Sequence, residues 1–422
     1  MAVTQADGGA VAPAPSGDRS VWPFGFSISH MIATGLFVWC LLSTTVEGFS
    51  AFGVDLSRTR QLATVYAVAL FVLFMRPWRY WTLPVRWGVG VLAAMIALGF
   101  SSWSLREGSP IAINYWMQWL LPMSCLVLAL SADPRLLRLW RMIIIGYGIF
   151  IATYQVVGLA FLPPVDVNIS WSFYDFRFIN APLALVMLLG MIFAATGRTQ
   201  RAWIRTVVAA GLGISVVFAQ HRSVWAALLV ATCLIFVRWV ASGRRPGLIP
   251  GPLVAFGFML FAAVLPLVSS WSVLPSAEAA PESGAVAAPF RATSTLGWRL
   301  EMWTSRMEAD RTPLEWAFGG AFGQTPAWGP DSNVMVPVVN SHNMYVDLIT
   351  MLGIAGVAAF LALLYAAYAS HAPRLRSTML ALAACLTFGL FFQWPPVAWL
   401  ILGLAVGQTR SRPSTPASGV MN

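Results

Sequence analysis

Twelve stretches of this chain are apolar for long enough to cross ~30 Å of hydrocarbon, and no aspartate or glutamate falls in the middle of any of them. They lie at about 25–44, 60–76, 87–103, 111–130, 139–161, 179–197, 203–220, 222–240, 252–271, 344–369, 376–393 and 395–409. In lipid every backbone N–H and C=O must find its partner within the segment, so runs of this length are read as helices. The expected class is an all-α polytopic membrane protein of about 12 transmembrane helices. Composition agrees: charged residues make up 10% of the 422 residues and hydrophobic ones 58%. A soluble domain carries about 25% charged residues.

The charges that remain orient the chain. All 26 basic residues are arginine. They fall in short clusters between apolar runs, as in cytoplasmic membrane loops, and form no clustered basic face of the kind that binds nucleic acid. With the amino terminus inside, the inner loops hold 17 of the 26 arginines and 3 of the 16 acidic residues, which gives +14 inside against −4 outside. Asymmetry of this size predicts that both termini are cytoplasmic. Residues 1–22, rich in Ala, Gly and Pro, read as a disordered cytoplasmic tail, with the first span as an uncleaved anchor. Residues 23–271 hold spans one to nine, 344–409 spans ten to twelve, and 410–422 a second cytoplasmic tail. Cys40, Cys125, Cys233 and Cys385 all lie in apolar runs, so no structural disulfide is expected.

One connection differs from the others. Residues 272–343 form an outer loop far longer than ordinary helix connections. Its stretch 275–290 is low-complexity, but the residues after 290 carry structural signals. Leu296, Leu300, Trp303 and Met307 recur at helical spacing and predict an amphipathic helix with these residues on its apolar face. Thr312-Pro313-Leu314-Glu315 has the pattern of a capping box with proline at the first helical position. A second short helix is expected to start there and to end at the glycines of Phe318-Gly319-Gly320-Ala321-Phe322-Gly323.

Chemistry then has to be sought at the outer ends of the spans. A transporter driven by protons or ions needs carboxylates near mid-membrane, and their absence from the runs counts against that class. Three outer positions stand out. Arg222 sits in the turn Gln220-His221-Arg222-Ser223, and Arg299 lies on the amphipathic helix with Trp303 and Arg306 at i+4 and i+7. His342 sits where the long loop meets span ten, in Asn340-Ser341-His342-Asn343-Met344-Tyr345. Guanidinium groups bind a pyrophosphate and stabilise the charge it gains on leaving. A neutral imidazole takes the proton of an attacking hydroxyl, and a helix N-terminus keeps it neutral. Each residue also has a simpler role open to it: Arg222 as a headgroup anchor, the arginines of the loop helix as its polar face, His342 as a helix cap, and the tryptophans as interface anchors. Besides His342 only His30, His221 and His371 are present, on different loops or spans, and no metal site or cofactor is expected.

Ser341-His342-Asn343-x-Tyr345, followed by Gly353-x-x-Gly356, resembles the signature of the O-antigen ligase/polymerase superfamily. Gly297-Trp298-Arg299, the Pro313…Gly319-Gly320…Gly323 stretch, the Arg222 turn and the twelve-span layout are similar too. The resemblance implies a metal-independent glycosyltransferase of the bacterial inner membrane, acting on the periplasmic side. It implies an undecaprenyl-pyrophosphate-linked glycan as donor and a glycan or lipid A-core as acceptor, as in an O-antigen ligase or a surface-polysaccharide polymerase. Arg222 and Arg299 would hold the pyrophosphate and His342 would activate the acceptor hydroxyl, with Arg306, Trp303, Asn343 and Tyr345 as substrate-binding neighbours. Arg177, in Tyr174-Asp175-Phe176-Arg177, resembles a further outer-loop position of the family without its fuller pattern. A glycolipid transporter with an outer lid and a non-catalytic partner of a polysaccharide-assembly system are the competing readings.

Overall fold

The computed structural model describes residues 27–43, 57–107, 111–132, 136–161, 179–197, 201–219, 221–241, 303–304, 306–308, 310–320, 325–328, 335–338, 343–369 and 376–407. Twelve helices are described: α1 (Ile28–Ser43), α2 (Ser57–Met75), α3 (Leu83–Glu107), α4 (Ile111–Ser131), α5 (Leu136–Phe161), α6 (Ala181–Thr196), α7 (Ala202–Phe218), α8 (Arg222–Ala241), α9 (Pro313–Phe318), α10 (Met344–Ala369), α11 (Arg376–Gly389) and α12 (Pro396–Val406). Eleven of them coincide with apolar runs of the sequence, and α9 is the short loop helix. The run at 252–271 lies outside the described residues. Among the described residues, Leu136–Gly158 and Met344–Ala369 are long and apolar enough to cross a membrane, and nine further helices carry apolar stretches of 10–17 residues.

A two-stranded antiparallel ribbon was not expected from the sequence: β1 (Thr325–Trp328) pairs with β2 (Met335–Val338), with Thr325 opposite Val338 and Trp328 opposite Met335. Pro326 faces Pro337 in it. Two strands alone are both edges, and an edge tolerates the missing N–H of proline.

The bundle is organised around α6. Thirteen of its residues are buried, and a helix apolar all round must be enclosed by others. The Asn180 side chain caps it, accepting from the Leu183 N–H at 3.0 Å. α5 and α6 run antiparallel, with Gly148 abutting Met187 and Gly190 abutting Ile144. The Arg205 guanidinium at the start of α7 donates to the Gly197 carbonyl just past α6. Trp225 closes the α7–α8 hairpin by donating through Nε1 to the Val217 carbonyl at 3.2 Å.

Contacts between distant elements fix which helix ends lie together. Arg141 Nη2, near the start of α5, donates to Thr378 Oγ1 near the start of α11 at 2.6 Å. The Tyr345 hydroxyl, at the start of α10, donates to the Leu386 carbonyl near the end of α11 at 2.7 Å. His221 Nε2, preceding α8, donates to the Ile179 carbonyl preceding α6 at 2.6 Å. One end of the bundle therefore gathers the starts of α6, α8 and α10 with the ends of α5, α7 and α11. The opposite end carries Arg138, Arg141, Arg201 and Arg205. Arg76, Arg79 and Arg86 join them there, because Gly88 of α3 abuts Ala359 and Leu363 in the far half of α10. Between the two ends the flanks expose Leu70, Leu73, Phe74, Val207, Ile354 and Leu361. Apolar area of this extent suits lipid tails rather than water. Tyr80, Trp87 and Trp203 are exposed towards the arginine-rich end, as residues of a membrane interface are.

Candidate active site at one end of the bundle

The site end is built on the first turns of α10. Asn343 Oδ1 accepts from the backbone N–H groups of Tyr345 and Val346 at 2.9 and 3.2 Å, so Asn343 is the N-cap. His342 is the residue before it and lies outside the described residues, as do Arg299 and Arg177. Tyr345 is spent on structure: besides its bond to Leu386, its ring meets Phe360 edge-on at 6.5 Å. Phe360 in turn contacts Trp394 and Trp399, at 5.3 and 6.1 Å. Trp119 of α4 donates to Met351 Sδ at 3.3 Å. α10 is thus held by the Leu386 carbonyl of α11, by Trp119 of α4, by Trp394 just before α12 and by Trp399 within it.

Onto this anchored turn the end of the long loop is docked. Trp303, Thr304 and Arg306–Glu308 are helical, in line with the expected loop helix. Its packing differs from the expectation: Met307, expected on the apolar face, is exposed, whereas Arg306, expected as a substrate-binding neighbour on the face of Arg299 and Trp303, is 2% exposed. The reason is a carboxylate. Arg306 Nη1 donates to Asp347 Oδ1 at 3.1 Å, and both side chains are buried. A buried guanidinium is tolerable only with such a counter-charge, and apolar periodicity carries no information about it. Asp347 in the first turn of α10 also lies at the positive end of the helix dipole. Trp303 is half-buried.

Further contacts complete the dock. Arg311 Nη2 donates to the Arg306 carbonyl at 2.6 Å, and the Arg311 guanidinium lies 5.0 Å over the Trp316 ring. Burial first, and then the Arg306 cation, push the Arg311 pKa below its ordinary value. α9 starts with the expected capping box: Thr312 Oγ1 accepts from the Glu315 N–H, and the Glu315 carboxylate accepts from the Thr312 N–H at 2.9 Å. It stops at Gly319, where φ is +93°. α10 breaks its helical geometry at Gly353, with φ +67° and ψ −172°. The two glycines touch: a Cβ on Gly319 would lie 2.0 Å from the Met351 carbonyl oxygen, and one on Gly353 would lie 2.3 Å from the Gly319 nitrogen. At the break the Thr350 carbonyl accepts from the Gly320 N–H at 3.1 Å.

Arg222 is the first residue of α8, exposed, at the same end of the bundle. The His221 carbonyl before it accepts from the Val224 and Trp225 N–H groups, both at 2.9 Å, and so starts the helix. Of the expected site residues, the structure therefore brings Arg222, Trp303, Arg306, Asn343 and Tyr345 to one end. Asp347 was missed in the sequence. The signal was available: it is an acid inside an apolar helical run, five residues after His342, and a carboxylate there requires a counter-ion.

A protein-family model described as O-Antigen ligase matches residues 206–361, from α7 through the docked loop and past the Gly353 break. Arg222, Arg299, Arg306, His342 and Asp347 fall within the match, and Arg177 falls outside it. No curated protein matches the chain. The match covers 156 of the 422 residues, and over that stretch the chain is similar to the O-antigen ligase family, which supports the O-antigen ligase/polymerase superfamily.

Proposed function

We propose that the protein is a glycosyltransferase that moves a glycan from an undecaprenyl-pyrophosphate donor to a sugar hydroxyl of a second glycan or of lipid A-core. The observation that carries this reading is the shared end of the bundle: exposed Arg222 opens α8 there, and the Asn343 cap, which follows His342 in the chain, opens α10. In this reading Arg222 and Arg299 bind the pyrophosphate as charge-assisted, two-pronged donors. His342 accepts the proton of the acceptor hydroxyl as its oxygen bonds to the anomeric carbon. The bond from that carbon to the pyrophosphate oxygen breaks, and the leaving group departs with the electron pair against the arginines. The Arg177 side chain is a further donor contact. The arginine-rich end faces the cytoplasm together with both termini, and the site end faces the periplasm, in accord with the positive-inside rule.

Glycan transfer by purified protein with a lipid-linked donor tests the chemistry. His342→Ala abolishes turnover with donor binding largely intact, Arg222→Ala weakens both, and Arg299→Lys does not restore full rate. Near-normal turnover by His342→Ala removes the general-base mechanism. Reporter fusions at residue 285 and at the carboxy terminus test the orientation, and a periplasmic signal from the latter overturns it.

A further inference from the structure

The transfer reading needs two groups from sequence-distant segments to meet one substrate: an arginine on the loop and a histidine before α10. Arg299 precedes Arg306 by seven residues, and His342 precedes Asp347 by five. Arg306 and Asp347 are the pair that joins these two segments, and they do so inside the protein rather than at its surface. A lone surface arginine on the loop would leave the loop free to shift along α10. A buried pair allows one register, because any other leaves both charges in an apolar surrounding. The contact of Gly319 with the Gly353 break fixes the same segment a second time, further along α10, through backbone alone. Arg311 links the Arg306 end to α9, donating to the Arg306 carbonyl and lying 5.0 Å over the Trp316 ring.

We propose that Arg306 and Asp347 are positioning residues for the transfer: their buried ion pair, backed by the Gly319–Gly353 contact, fixes the end of the loop against the first turns of α10, the two segments of the chain that carry Arg299 and His342. This rests on the glycosyltransferase reading and assigns Arg306 a role different from substrate contact. It places no substrate atom on either side chain. The pair's contribution is geometric, and a displacement on the order of 1 Å between two reacting groups slows a step by about a hundredfold.

The test compares Asp347→Asn, Asp347→Glu and the double variant Arg306→Met/Asp347→Leu with the parent, in the full-length protein. The double variant removes both charges together and guards against simple misfolding of the single ones. Turnover per folded molecule is measured with a lipid-linked glycan donor, alongside the donor dissociation constant. Separately, spin labels at exposed Met307 and exposed Leu390, in a Cys233→Ser background, report the distance between loop and bundle without any substrate. The expected result is a tenfold or greater loss of kcat for Asp347→Asn and for the double variant, with donor affinity within threefold of the parent. Asp347→Glu recovers a substantial part of the loss, and the label distance, single and narrow in the parent, broadens wherever kcat falls. Unchanged kcat per folded molecule overturns the proposal, as does lost kcat with an unaltered label distance. Normal turnover in His342→Ala overturns the mechanism on which it rests, while the label distances still decide whether the pair holds the loop.

Discussion

The seam between α4 and α12 and the seam between α9 and α10 both close over glycine, and they are made of different chemistry. In the first, a Cβ on Gly403 would lie 2.6 Å from both the Ala129 Cβ and the Leu126 carbonyl oxygen. The surroundings, Leu126, Ala129, Leu130, Leu400 and Leu404, are buried and apolar. Close approach there yields van der Waals contact, the usual means by which membrane helices associate, and the Trp119 and Trp399 rings meet edge-on in the same seam at 6.3 Å. In the second, Gly319 and Gly353 bring two backbones together at positive φ, and the Arg306–Asp347 pair lies along the same dock. The first seam is made of apolar side chains and carries no buried ion pair among the described residues, so it resists separation more than it fixes register. The second fixes register through charge and backbone geometry, and that is what a site assembled from a loop and a helix requires.

The comparison can be broken most severely at Gly319. Gly319→Val places a β-branched side chain at φ +93° and against the Met351 carbonyl, which should cost roughly 4–6 kcal/mol. Limited proteolysis should then cut the loop end rapidly while the bundle helices stay intact. Loss of the whole bundle instead would mean that the two seams are not separable units. Next in size, Asp347→Ala removes the carboxylate that Arg306 pairs with inside the protein and should cost roughly 3–5 kcal/mol. Thermal unfolding in detergent measures it, and a cost below about 1 kcal/mol would make the pair energetically idle.

At the apolar seam the expected penalty is smaller. Gly403→Ala adds a single methyl where the neighbours must shift, for roughly 1–3 kcal/mol, and should leave turnover per folded molecule unchanged. A turnover defect there at full stability would erase the distinction between the seams. The smallest effect is expected from Thr312→Ala, which removes one half of the α9 capping box and should cost about 1 kcal/mol. Hydrogen exchange confined to the first turn of α9 would show it.

The helix pattern was legible because burial in an apolar medium forces internal hydrogen bonding, and eleven apolar runs reappear as helices. α9 was legible to the residue, since Thr312, Pro313 and Glu315 act within one turn and need no tertiary partner. The facing of the loop helix was not. The spacing of Leu296, Leu300, Trp303 and Met307 put Met307 on the apolar face, yet it is exposed, and Arg306 is turned inwards to a carboxylate 41 residues further along the chain. Asn343 and Tyr345 were expected beside substrate, and their side chains are engaged in capping α10 and in binding the Leu386 carbonyl. The β1–β2 ribbon had no alternating pattern to announce it.

By itself, then, the sequence determined the medium, the helices, the local caps and the family motif around His342. Each of these depends on transfer energies or on hydrogen bonds between residues a few positions apart. The tertiary structure decided which helix ends share a face, that Arg306 belongs to Asp347, and that Gly353 breaks α10 to receive Gly319. Those outcomes depend on contacts between groups far apart in the chain, where a buried charge or a backbone approach is satisfied by one partner among many, and only packing selects it.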